Sequence, residues 1–273
     1  MSLRAIGVYR EPEFSPGKVD ADAAILDAVL AELSREGAQT DALDARTFSD
    51  ITTPGADLVL AMCQGERALK RLAEAERSGA VVINSALAIR NCYRDLLARG
   101  LAGAGVPTPA GALVATAAPL DPRTLIGVDF AAPVYVKRGD LHALGPDDVQ
   151  RAAGRADIES KLRGLASRGI RQAYIQQEVE GSVVKFYGVS GGAYFSALPI
   201  DGAGQEAAVR ALSEAAQAAA EALGLEAWGG DAVLSEDRFA IIDFNDWPSY
   251  SRVRGPASRA IARRALSLLS RPR

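Results

Sequence analysis

The spacing of apolar positions changes character partway along the chain. Up to about residue 88, short apolar runs alternate with helical periodicity. Leu3 to Tyr9 is apolar and β-compatible, and Ala21 to Glu36 places Ile25, Val29 and Leu33 on one helical face before Gly37 stops it. Asp57 to Cys63 predicts a strand, Glu66 to Arg77 a helix with Leu69 and Leu72 inward, and Ala80 to Asn84 another strand. Strands alternating with helices predict a parallel sheet with helices on its faces.

Beyond that point the pattern is different. Ser85 caps a helix running to about Ala104, ended by Gly105 and Pro107. Ala110 to Ala115 and Ala132 to Lys137 predict strands on either side of a Pro-rich turn. Pro146-Asp147-Asp148 starts a predicted helix that continues to about Ser167, and Arg171 to Val179 reads as a strand broken by Gly181. Val183 to Val189 and Ala193 to Pro199 form a predicted hairpin around Ser190-Gly191-Gly192. An Ala-rich helix (Glu206 to Leu223), a second hairpin and a last helix (Ala257 to Leu269) complete the chain. The fold class is therefore an α/β unit followed by an α+β unit with antiparallel strands.

The second hairpin, within WGGDAVLSEDRFAIIDFNDWPSY, is the most informative segment. Asp231 to Leu234 and Phe239 to Phe244 are apolar runs separated by the polar turn Ser235 to Arg238, with Asp246 and Pro248 ending the second. Period-two alternation puts Phe239, Ile241, Asp243 and Asn245 on one face. An Asp and an Asn two residues apart on such a strand are costly unless something pairs with them. Their oxygens suit a hard cation such as Mg²⁺, which takes one or two carboxylates plus phosphate oxygens. A turn pairing Leu234 with Phe239 would leave Asp231 off that face, whereas a turn one residue shorter or longer would add it. Strand-end turn formation is the other reading of Asp243, Asn245 and Asp246.

Composition narrows the function classes. The chain has 273 residues, 48% hydrophobic and 24% charged, as in an ordinary globular protein large enough for more than one domain. Lys plus Arg 31 against Asp plus Glu 34 leaves a net charge of −3, which carries no nucleic-acid footprint. No apolar run approaches the roughly 18 residues of a membrane span, and MSLRAIGVYR has no signal core, so a cytoplasmic protein is expected. Cys63 and Cys92 lack metal-ligand spacing and read as buried thiols. His142 is the only histidine, which excludes a His-rich zinc site, and it reads as a solvated loop residue. Nothing in the sequence sets an oligomeric state.

Other residues carry candidate chemistry. Lys137 ends the strand PVYVK before RGDLHALG, where a lysine can meet a phosphate as a point charge or simply snorkel. Gln176 to Gly181 closes one strand and leads into the next, so its backbone can read an adenine edge and Glu180 can take ribose hydroxyls, or the segment is an ordinary surface turn. Lys185 shares a face with Val183, Tyr187 and Val189 and wants an anion, either a ligand phosphate or a carboxylate such as Asp243 or Glu178. Arg252 and Arg254 are placed to hold an anionic substrate or to lie on a solvated face. Gly202 to Ala207 matches G-x-G-x-x-A, but only about 70 residues follow, too few for the sheet that fingerprint serves.

In this order, a strand lysine, a strand into a glycine hinge, a basic strand residue and a late hairpin with Asp and D-x-N resemble the ATP-grasp superfamily. INSALAIRNCYRDLLARGLAGAGVPTPAGALV resembles its helix, glycine-proline turn and strand, and IIDFNDWPSY its metal strand, where Glu-x-Asn and a proline are usual. The resemblance implies an N-terminal α/β domain (1–88), a central lobe (89–179) and a C-terminal lobe (180–273). It implies Asp231, Asp243 and Asn245 on Mg²⁺ (or Mn²⁺), Lys137 on the α/β-phosphates and Lys185 on the γ-phosphate. It also implies Gln177, Glu178, Val179 and Glu180 on adenine and ribose, with Arg94 where many members have a phosphate-binding lysine.

Two branches look similar. Carboxylate–amine ligases related to ribosomal-protein glutamate ligases match the layout and length. Inositol polyphosphate kinases match the Asp of D-x-N, WPSY, QEVEGSVVKFYGV and a His soon after the strand lysine. The loop after Lys137 is shorter and poorer in glycine than the family's phosphate-covering loop. The expected reaction is ATP-dependent activation of a substrate carboxylate, in a small molecule or peptide, as an acyl phosphate attacked by an amine, with Lys185, Arg252 and Arg254 acting on the reactants. Phosphoryl transfer to a polyol phosphate is the alternative, and a nucleotide-binding module without turnover is the alternative of another class.

Overall fold

The parallel sheet expected at the start of the chain is present in the computed structural model, which describes residues 3–51, 55–199, 206–235 and 238–270. β1 (Arg4–Val8), α1 (Val19–Arg35), β2 (Gln39–Leu43), α2 (Ala45–Asp50), β3 (Leu58–Ala61), α3 (Glu66–Arg77) and β4 (Val81–Ile83) give an all-parallel sheet in the order β2-β1-β3-β4. β1 and β3 are buried along nearly their whole length, as strands covered by helices on both faces must be. The sequence QTDAL hides β2, because an exposed edge strand with polar positions carries no apolar alternation. Pairing of Gln39 to Leu43 with Arg4 to Val8 creates it.

The predicted helix from Ser85 is two helices, α4 (Ala86–Asn91) and α5 (Arg94–Gly103). The chain breaks between them where the Tyr93 hydroxyl donates to the Gln64 carbonyl at 3.0 Å, so that Arg94 opens α5 and is buried. A second antiparallel sheet follows, built from β5 (Gly111–Ala115), β6 (Val134–Arg138), β7 (Val149–Ala152) and β8 (Gln172–Gln177) in the order β5-β8-β6-β7, with α6 (Gly154–Ser167) against it. The helix expected from Pro146 begins only at Gly154. Residues 149–152 pair instead with Val134 to Lys137, because a sheet edge offers their backbone more hydrogen bonds than one extra helical turn.

The third sheet holds β9 (Ser182–Val189), β10 (Tyr194–Pro199), β11 (Ala227–Ser235) and β12 (Arg238–Asp246) in the order β10-β9-β11-β12, all antiparallel. α7 (Glu206–Leu223) and α8 (Arg254–Leu269) complete the chain. The Gly202–Ala203–Gly204 segment and the middle of the β11–β12 turn lie outside the described residues. Among the described residues no helix is long and apolar enough to cross a membrane. Cys63 and Cys92 are buried and unbonded, as expected, and burial pushes both thiols well above their ordinary range.

The apolar cores show which parts are joined. One core combines α1 and the first sheet (Ile25, Val29, Leu33, Leu58, Leu60) with α8 and the third sheet (Ile261, Ala265, Tyr187, Ala227, Trp247, Tyr250). A second packs Leu97 and Leu101 of α5 with α7 and the other face of the third sheet. The middle sheet has its own closed core of Val134, Val136, Ile158, Leu162, Ala173 and Ile175. Asn84 stitches the first part to the third: its side chain donates to the Ala227 carbonyl (2.8 Å) and accepts from the Glu226 and Ala227 amides (2.7 and 3.0 Å). Asn84→Ala should cost about 3 kcal/mol by urea unfolding, because it leaves these fully enclosed amides without an acceptor.

Candidate active site

The geometry of the site starts from a β-bulge. Leu234 pairs with Phe239 and Ala232 with Ile241, the register that by itself would set Asp231 against Ile242. Ile242 is an extra residue on β12, opposite the step from Asp231 to Ala232, so Asp231 pairs with Asp243 instead. A bulge reverses which face the following side chains occupy. Phe239 and Ile241 turn into the core against α7 together with Phe244, while Asp243 and Asn245 face the opposite side. The four residues expected on one face are thus split between two, because strict period two does not survive the insertion.

The bulge completes a row across the sheet. Lys185 of β9, Asp231 of β11 and Asp243 of β12 are successive cross-strand neighbours. The Lys185 ammonium donates to Asp231 at 2.7 Å. In the next row stand Tyr187, Gly229 and Asn245. Gly229 cannot be larger, since a Cβ there would come within 2.6 Å of the Phe186 carbonyl and 2.8 Å of Pro248. Burial raises the Asp231 carboxyl above its usual range although Lys185 opposes this. Burial would raise Asp243 too, but the Arg94 and Lys137 cations oppose it and the carboxyl is held below its usual range.

Two buried cations close on this row from elsewhere in the chain. Arg94, at the start of α5, lies 3.5 Å from the Asp243 carboxylate. Lys137, at the end of β6, donates to the carbonyl of the bulged Ile242 at 2.9 Å. Desolvation, assisted by Arg94, pushes the Lys137 ammonium down to about 8. The crevice here, lined by Arg94, Thr108, Tyr174, Gln176, Ile242 and Asp243, measures only about 20 Å³. A purine needs more room, so a base entering between the second and third sheets has to part them.

On the other side of the row a cleft of about 590 Å³ opens between the first sheet's loops, the third sheet and the loop after β6. Lys185, Asp231, Asp243 and Asn245 line it, as do Arg10, Gln64, His142 and Asp246. His142 is not a solvated loop residue: its Nδ1 is buried without a partner, and burial together with Arg10 keeps the imidazole neutral by lowering its pKa to about 4. The short loop that carries it is pinned by Asp148, which accepts from the Leu144 amide, Arg138 and Arg168.

The remaining expected residues are spread more widely. The Gln177 side chain binds the Asp129 amide and the Pro133 carbonyl, and the Gln177 and Glu178 amides donate to Ala110 and Pro133. Glu178 makes a bidentate pair with Arg151 at 2.8 Å and accepts from Tyr135. Val179 is half-buried and Glu180 exposed in the connection to β9. Arg252 is exposed and Arg254 opens α8, neither among the cleft-lining residues. Sequence reasoning missed Arg10 and Gln64, whose partners Asp246 and Trp247 lie far away in the chain, and Asp22, which pairs with Arg10, and it took Asp246 only for a strand end.

The donor set fits a hard divalent cation. Asp231 and Asp243 supply two carboxylates on one row, and Asn245, which lines the same cleft, donates weakly to Asp243 through its amide nitrogen (3.4 Å). Among the described residues no group of three His, Cys, Asp or Glu side chains is gathered to hold a metal by itself. A two-carboxylate site of this kind leaves coordination positions for phosphate oxygens and water.

No protein-family model matches the chain, and no curated protein matches it by sequence. Solved structures do. A D-alanine–D-alanine ligase from Bacillus anthracis in complex with ATP superposes with a TM-score of 0.74 at 12% identity, covering 98% of each chain. Another structure of the Bacillus anthracis enzyme gives 0.75 at 11% identity, covering 98% of this chain and 99% of the other. The chain therefore shares the fold of these ligase structures, the ATP-grasp fold, over 98% of its length.

The depressed Lys137 pKa has a measurable consequence. Its folded value of about 8 lies below the ordinary 10.5, so between these the unfolded chain holds the proton more tightly. Stability contributed by this group rises as pH climbs from about 8 to about 10.5. Lys137→Met should remove that component, seen as a flatter dependence of the urea midpoint on pH in the variant than in the wild type.

Proposed function

We propose that the protein is a cytoplasmic, ATP- and Mg²⁺-dependent carboxylate–amine ligase that works through an acyl phosphate. The observation that carries this reading is the row Lys185–Asp231–Asp243, with Asn245 beside it and the buried cations Arg94 and Lys137 against its end. Two oxygen anions and three cations within one small region suit a polyphosphate and its metal rather than covalent catalysis.

Nucleotide would lie between the second and third sheets, with Gln177 to Glu180 at the base and ribose. Lys137 would exchange the Ile242 carbonyl for the α/β-phosphates, Arg94 would join it, and Lys185 would leave Asp231 for the γ-phosphate. Asp231, Asp243 and Asn245 would hold Mg²⁺ or Mn²⁺, which when bound neutralises charge on the phosphates. The substrate carboxylate, approaching through the cleft, attacks the γ-phosphorus in line. The bond to the β–γ bridging oxygen breaks and ADP leaves. An amine then attacks the acyl carbon and phosphate departs with its electron pair. Lys185 and the rigid loop bearing His142 supply position and water exclusion.

The cleft's charge favours a carboxylate over a polyol phosphate. Arg10 is paired with Asp22 and Asp246, Lys185 with Asp231, and Arg138 with Asp140 and Asp148. Lys18 is the cleft-lining Lys or Arg left without an ion-pair partner among the described residues. One free cation, helped by Arg252 or Arg254 if they swing inward, balances one carboxylate and not several phosphates. A non-catalytic nucleotide module would have no use for both Asp243 and Asn245 on the cleft.

Mg·ATP or Mg·ADP at a hundredfold its dissociation constant should add about 2.7 kcal/mol of stability, read as a rise in Tm. A nicotinamide dinucleotide that stabilises where Mg·ATP does not overturns the nucleotide assignment. Paired screens of acids and amines should release ADP and phosphate only when both are present, whereas phosphate appearing on an inositol with no amine requirement makes the protein a kinase. Asn245→Ala should lower turnover at least a hundredfold while shifting Tm little, because it deletes a metal donor without stranding a charge. Asp243→Asn should lower turnover too, and also stability, since it leaves Arg94 buried beside a neutral amide.

A further inference from the structure

Arg10 stands just beyond β1, in the first part of the chain, with its side chain only 10% exposed. Its guanidinium is satisfied on every side. Nε donates to the Met62 carbonyl (3.2 Å) and Nη1 to Asp22 (3.2 Å). Nη2 donates to the main-chain carbonyls of Asp246 (3.2 Å) and Trp247 (2.9 Å), with the Asp246 carboxylate at 3.6 Å. Asp22 is itself oriented by the Ser15 hydroxyl at 2.6 Å, and Asp246 by the Gln64 amide at 3.0 Å.

The carbonyls it grips belong to the two residues that follow Asn245. The backbone there is unusual, since Trp247 and Tyr250 have φ of +35° and +47°, a region that bulky L-residues rarely enter. Such a turn persists only when its surroundings over-determine it. Other ties reach the turn as well: the Trp247 amide donates to the Ala227 carbonyl (3.1 Å), the Trp247 indole to the Ile83 carbonyl, and the Tyr250 hydroxyl to Gly188 and Trp228. Arg10 is the side chain from the first part of the chain that grips the carbonyls of Asp246 and Trp247, immediately beside the metal-candidate strand.

We infer that Arg10 is a positioning residue that fixes Asn245 and Asp243 at the register the divalent cation needs, making the N-terminal lobe part of the metal site. The inference rests on the metal reading proposed above. Lysine cannot replace it, because an ammonium lacks the planar fork that reaches four acceptors at once.

The test titrates Mn²⁺ into ADP-saturated protein and follows free Mn²⁺ by electron paramagnetic resonance, with hydrogen exchange of residues 243–250 in parallel. Arg10→Lys should stay folded, bind ADP without metal within about twofold of wild type, and lose roughly ten- to a hundredfold in Mn²⁺ affinity, the usual effect of deleting an outer support of a metal ligand. Exchange should quicken in 243–250 and not in β1 or α1. A folded Arg10→Lys that holds Mn²⁺ as wild type does overturns the positioning role and leaves the metal site standing. Wild type that retains no Mn²⁺, or an Asp243→Asn protein that retains it equally, overturns the metal reading and this inference with it. If Arg10→Lys does not fold, Asp22→Asn, which loosens the guanidinium without touching the metal strand, should show the same loss of Mn²⁺ affinity in smaller degree, and unchanged affinity there overturns the proposal.

Discussion

The bulge between Asp231 and Ala232 is the constraint on which the site depends. Without the extra residue at Ile242, Ile241 and Asp243 would share one face, which would either direct Asp243 at α7 or bring Ile241 out to the cleft. The insertion also releases the Ile242 carbonyl toward the second sheet, where Lys137 donates to it. One irregularity in one strand thus sets the carboxylate row and provides the point where the two sheets touch.

The charges around that point are arranged in pairs that can change partners. Lys185 with Asp231, and Arg94 and Lys137 with Asp243 and the bulge carbonyl, are each partly or wholly withdrawn from water. A desolvated ion without a partner is costly, so an ATP-binding site that is stable without ATP needs internal surrogates. Under the proposed function the Asp231 carboxylate and the Ile242 carbonyl would stand in for phosphate toward the lysines, and Lys185 and Arg94 for metal toward the carboxylates. Binding would then be an exchange of partners in place of a fresh desolvation.

Much of this was legible from residues alone. The first sheet could be read because β1, β3 and β4 are apolar runs between amphipathic helices, and the late hairpin because its apolar runs flank a polar turn. β2 could not, as its residues earn their place only through pairing with β1, and β7 was masked by the helix-like start Pro146-Asp147-Asp148. Lys137, Lys185, Asp231, Asp243 and Asn245 could be picked out because charged or amide side chains stand on otherwise apolar strands. Their mutual arrangement could not, since a bulge leaves no trace in a period-two pattern. Arg10 was invisible for a different reason: the carbonyls it grips beside the carboxylate row belong to Asp246 and Trp247, more than two hundred residues away.

The shared core of α1 and α8 has a mechanical consequence. The last helix returns to the first, and Trp247 and Tyr250 lie in the same apolar mass as Leu58 and Leu60, so the first and third sheets form a single rigid frame. The middle sheet, with a core of its own, joins that frame through two covalent strands of chain, near residues 104–110 and 178–181, and through polar contacts such as Lys137 to Ile242. In the proposed reading it would be a flap with two hinges. A swing that admits a purine would leave the distance from Arg10 and Gln64 to the carboxylate row unchanged, while the His142 loop, the remaining wall of the cleft, would travel with the flap. The acceptor substrate would then sit between one fixed jaw and one moving one.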